Sequence, residues 1–134
     1  MSFADERASI EGRFNTAWGN TTPIAWDNAS FTPPDTAWVR LAIRNGASIT
    51  EAIGGAGAGD VLNQYLGRIW IQIFVPDNTG TGEARTLADT AAAIFNQVTF
   101  DNIRCMAPEV AIVGNTDVWY QVNVSIPYRR FGSN

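Results

Sequence analysis

The sequence has no histidine, no lysine and a single cysteine, and these absences close most enzymatic routes before any motif is considered. Without histidine, the usual general base and the commonest zinc ligand are missing. Without lysine, there is no Schiff-base amine and no P-loop lysine to reach a phosphate. All nine basic residues are therefore arginines. Cys105 has no second cysteine to bridge and no histidine to activate it, so it reads as a packing residue in a reducing compartment. No run approaches the roughly eighteen consecutive apolar residues of a membrane span. The first residues, MSFADERASIEG, are acidic and helical in pattern where a secretory leader needs a positive start and an apolar block. The expectation is a protein made in a cytoplasm, with no membrane partner. A net charge of -4 also disfavours affinity for nucleic-acid phosphates.

What is present is enough for a packed core. The 134 residues, 46% of them hydrophobic, read as one domain spanning 1–134. From Arg68 to Val75 the chain alternates strictly: Ile69, Ile71, Ile73 and Val75 share one face of a strand, and Arg68, Trp70, Gln72 and Phe74 share the other. Pro76 and the turn residues 77–82 end it. A helix over Glu83 to Val98 follows, capped by Thr81 or Gly82, with Ala84, Leu87, Ala88, Ala91, Phe95 and Val98 on one stripe. Ser2 and Asp5 form a capping pattern for a first helix running to about Trp18, where Gly19-Asn20 stops it. Its buried side is expected to hold Phe3, Ile10, Phe14 and Ala17.

Trp38 to Arg44 alternates in the same sense as the Arg68 strand. Asn45-Gly46 predicts a hairpin, with Ser48 to Ile53 returning as a short strand. The glycine-rich segment Gly54, Gly55, Gly57 and Gly59 with Asp60 is expected to be a flexible contact loop. It is not a phosphate-binding loop, because Asp60 follows the glycines and no lysine does. Thr99 to Met106 predicts a strand, Val110 to Val113 a short apolar strand or edge piece, and Gly114 to Asp117 a turn. The last strand sets Val118, Tyr120, Val122, Val124 and Ile126 against Trp119, Gln121, Asn123 and Ser125. Arg129-Arg130 is too small a patch for nucleic acid and is expected to pair with acids on a neighbour.

The fold class that follows is α+β: a two-layer sandwich with a mostly antiparallel mixed sheet and two helices packed on one face. The other face would carry Trp38, Arg40, Arg44, Arg68, Trp70, Gln72, Phe74 and Trp119, with no third layer to bury it. Tryptophan and arginine together are the composition of a protein interface core, so these eight are the candidate interface residues. The competing reading is that the loop Asp27 to Asp35 folds over the tryptophans. Carboxylate pairs such as Asp77 with Glu83 or Asp60 with Glu51 sit in turns and at a helix start, where capping and solvation explain them. No catalytic, cofactor or metal residues are assigned.

Several stretches in order resemble one known family. They are the first helix, then the loop from Ile24 to Pro34 with Trp26, Phe31 and Pro33-Pro34, then an arginine-bearing strand. After these come the strand Gly67 to Pro76, Gly80-Thr81-Gly82-Glu83-Ala84-Arg85 opening an alanine-rich helix, and the final strand Trp119 to Tyr128. This order is similar to the tail-terminator-like, or tail completion, family of long-tailed bacteriophages. The resemblance implies a structural virion protein that forms a homo-oligomeric ring, usually a hexamer, at the head-proximal end of the tail tube. Such a ring stops tube polymerisation and presents a surface to the head-completion or connector protein. It also implies no enzymatic activity and no cofactor. The location implied is the virion tail, with the host cytoplasm during assembly. DNA is expected to pass through without specific binding, along a lumen that is acidic or neutral. Another neck or tail-tube component is the nearest alternative, and a small ligand-binding domain using the Trp/Arg face is a more distant one.

Overall fold

The computed structural model describes residues 1–53 and 61–132. In chain order the elements are α1 (Phe3–Trp18), β1 (Ile24–Trp26), β2 (Trp38–Ile53), β3 (Val61–Pro76), α2 (Gly82–Phe95), β4 (Thr99–Phe100), β5 (Ile103–Cys105), β6 (Glu109–Thr116) and β7 (Trp119–Gly132). They form an α+β sandwich of one sheet and two helices. The sheet order is β1-β2-β3-β7-β5-β4, with β6 beside the first half of β7. Every pairing is antiparallel except β1 with β2.

The long central strands set the division of the two faces. Val39 pairs with Ile73 and Ile73 with Val122; Leu41 pairs with Ile71 and Ile71 with Val124. These side chains have no measurable exposure or nearly none, and α2 packs on them through Ala84, Leu87, Ala88, Ala91 and Phe95. The small alanines let the helix lie close to the sheet. Each fully buried isoleucine or valine contributes roughly 1.5–3 kcal/mol, so these cross-strand rows are the main reason the chain folds.

Helix α1 begins as expected: the Ser2 hydroxyl accepts from the Asp5 N–H, and the Asp5 carboxylate accepts from the Ser2 N–H. The Ser2 N–H on the carboxylate, followed by the Ser2 hydroxyl beside it, favours the charged form of Asp5, so its pKa lies below the usual value. Its buried side is Glu6, Ile10, Phe14 and Trp18, spaced four apart, while Phe3 and Ala17 are exposed. Phe14 stacks on Trp18 and on Phe95 and meets Trp26 edge-on, which ties α1 to α2 and β1.

Three local expectations are corrected. No hairpin forms at Asn45-Gly46; β2 runs through it with an irregularity in register between Asn45 and Ser48. The Asn45 amide is drawn inward to the Glu6 carboxylate and the Tyr128 hydroxyl, and these bonds override the turn preference. The stretch Thr99 to Met106 is two short strands, turned at Asp101 and Asn102, which both have positive φ as a two-residue hairpin turn requires. Helix α2 ends at Phe95, short of Val98.

Candidate functional site

On the side of the sheet away from the helices, the register assembles the eight candidate residues. Trp38 lies opposite Phe74, which lies opposite Gln121; Arg40 opposite Gln72 and then Asn123; Ala42 opposite Trp70 and then Ser125; Arg44 opposite Arg68. Trp119 reaches the first of these rows, its ring meeting that of Trp38 edge-on at 5.8 Å. Alternation at a period of two places all eight on one side, so three strands bring together residues as far apart in sequence as Trp38 and Trp119.

The face divides into an aromatic end and a polar basin. At the aromatic end Trp38 stacks on Phe74 at 4.2 Å and is covered by Phe31 at 5.0 Å, leaving it only 5% exposed. The loop between β1 and β2 thus covers this one tryptophan, as the competing reading expected. It leaves Trp70 half-buried and Arg40 and Arg44 exposed. The buried Trp38 indole N–H has no hydrogen-bond partner among the described residues.

The basin, about 430 Å³, is lined by Arg40, Arg44, Trp70, Gln72 and Asn123, with Asp27 at its rim. Ala42, between the two arginines along β2 and opposite Trp70, lines the same basin. Arg44 donates to Asp27 at 3.4 Å. Arg68 donates to Glu109 at 3.1 Å and to the Ser125 hydroxyl at 3.0 Å, and its guanidinium lies 5.8 Å from the Trp70 ring centroid. Arg40 has the Trp38 ring for company and no acid beside it among the described residues. Hydrogen-bond donors therefore outnumber acceptors, a match for carboxylates on a partner surface. Among the described residues no group of three His, Cys, Asp or Glu side chains stands close enough to hold a metal.

The predicted contact loop of Gly54, Gly55, Gly57, Gly59 and Asp60 lies outside the described residues. Arg130 does not reach for a neighbour. It is fully buried, donates from Nε to Glu6 at 2.9 Å and from Nη1 to the Met1 carbonyl, and lies against the rings of Tyr65 and Phe3. The Tyr128 hydroxyl donates to the same Glu6 carboxylate at 2.9 Å. This cluster joins the start of α1 to the end of β7 and holds the sheet that carries the basin. Sequence reading missed it because a buried charge looks like a solvated one; the spacing Glu6-Ile10-Phe14-Trp18 was the available signal.

A family model described as a phage tail terminator protein matches residues 7–128. A solved structure with 23% sequence identity superposes with a TM-score of 0.70, covering 97% of this chain and 96% of that one, which establishes likeness of fold. Comparison with curated proteins returns no match.

Proposed function

Because the chain belongs to the phage tail terminator family, we propose that it caps the head-proximal end of the tail tube as a ring of identical copies. A structural role in phage tails follows from the membership itself. In the proposed role the ring ends tube polymerisation and offers the surface on which the head-completion or connector protein docks. The observation that carries this reading is the family match across residues 7–128.

The open sheet face supports it. A two-layer sandwich with Trp70, Arg40, Arg44 and Arg68 on its uncovered side is suited to burying that side against a neighbour, where desolvated aromatic and arginine side chains contribute most. Trp38, Phe74 and Trp119 support the face from its aromatic end, and Gln72 lies in the basin between. In this reading the three arginines belong to subunit or tube contacts and not to the lumen. The chain carries no catalytic role, DNA passes without specific binding, and the protein resides in the virion tail after assembly in the host cytoplasm.

Antibody labelling of purified tails in the electron microscope tests the placement. The expected result is label at one end only, the end that joins the head. Label along the tube would identify a tube component, and label confined to heads would identify a head-side connector; either overturns the proposal.

A further inference from the structure

Four exposed large apolar side chains, Val110, Ile112, Val113 and Val118, belong to one stretch, β6 and the turn after it. β6 is bonded to β7 on one side, and its other side has no strand among the described residues. Register sets Val110 opposite Val124 and Ile112 opposite Val122, on the helix side of the sheet. Helix α2 covers β7 and β3 and does not extend over β6, so Val110 remains 49% and Ile112 45% exposed. Sheets of monomeric proteins blunt their free edges with proline, lysine or short length. β6 is eight residues long and contains neither residue; its pairing with β7 has one irregularity in register, between Ile112 and Gly114.

A second free edge lies at the opposite side of the sheet. β1 bonds to β2 only at Val39, Arg40 and Leu41, so from Ala42 onward the outer side of β2 has no partner strand among the described residues. Residues 44–50 are all exposed, Ile49 among them. The β6 edge is acidic, residues 109–118 containing Glu109 and Asp117 and no basic residue; the uncovered part of β2, residues 42–53, contains Arg44 and Glu51 and is neutral. Two different edges on opposite sides of one sheet make a head-to-tail contact, the kind that closes into a ring.

We infer that β6 of one copy adds to the free outer edge of β2 in the next copy, so that the sheet continues from subunit to subunit. The inference rests on the ring reading above and names the contact that would build it. Backbone hydrogen bonds supply the pairing, the apolar side chains of β6 gain a cover, and the two acids of β6 and its turn disfavour a second β6 as partner.

The test uses full-length wild type, Ile112→Lys and Ile49→Lys, observed by native mass spectrometry alone and by negative-stain microscopy on purified tail tubes lacking the protein. Both substituted side chains are exposed, so each variant is expected to melt with the wild type; Val110→Lys replaces Ile112→Lys if that chain melts early, and Ile49→Arg replaces Ile49→Lys. Each variant alone is expected to stay monomeric where the wild type assembles. An equimolar mixture is expected to give a one-to-one dimer that grows no further, because each copy brings one intact edge. Rings from either variant alone, a mixture that stays monomeric, or a dimer of Ile49→Lys alone each overturn the inference and leave the ring reading standing. A wild type that forms no ring in either setting overturns the ring reading itself, and the inference with it.

Discussion

Gly67 and Tyr128 face each other across β3 and β7, and the tyrosine ring lies directly over the glycine. A Cβ at Gly67 would stand 2.4 Å from the ring, which is buried and held through its hydroxyl by Glu6. Gly67→Ala is therefore expected to push the ring off Glu6 and Asn45 and to lower stability by about 1–3 kcal/mol, read as a fall in the denaturant midpoint. An unchanged midpoint would mean that the ring has room to move. Cys105 gives a residue-scale expectation in pH. Burial raises its thiol from 9.0 to about 11, and burial followed by the Glu6 charge raises the Tyr128 phenol as well. A folded-state pKa above the unfolded one gives stability that is present below the unfolded value and lost as pH rises through the folded one. The melting temperature is thus expected to fall from about pH 9 to 11, and Cys105→Ala to flatten part of that slope. An identical slope in the variant would contradict the assignment.

At the scale of elements, what could be read in advance followed from side-chain period. Ile69, Ile71, Ile73 and Val75 alternate with Arg68, Trp70, Gln72 and Phe74, and that alternation placed the candidate face before any strand pairing was known. Serine capping and the glycine stop did the same for α1. Contacts distant in sequence could not be read in this way. Asn45-Gly46 has the composition of a turn, yet Asn45 bonds across the sheet to Tyr128, and Glu6 is buried only because Arg130 arrives from the other end of the chain. β6 was recognisable as an edge piece, but its exposed valines and isoleucine follow from where α2 stops. The two tryptophans of β2 and β3 separate by the same logic. Trp38 is buried under Phe31, and Trp38→Ala is expected to cost about 3–5 kcal/mol. Trp70 is half-buried on the open face, and Trp70→Ala is expected to leave the melt within a few degrees while reducing assembly. A melt lowered as far by Trp70→Ala as by Trp38→Ala would place Trp70 in the core.

At the scale of the whole molecule, a single sheet covered on one side carries an arginine and tryptophan face and two edges without a partner strand among the described residues. The family match assigns the chain to phage tails, and a subunit of an assembly accounts for surfaces that a freestanding monomer would need to shield. The acidic balance of the chain fits a component that surrounds DNA without gripping it. The central claim is that this protein ends tube growth, and the measurement that reaches it most directly is the length distribution of tails in lysates of phage lacking the protein, taken by electron microscopy. The account predicts tails that run on past the normal length and carry no heads. Headless tails of normal length would contradict it and place the protein on the head side of the joint.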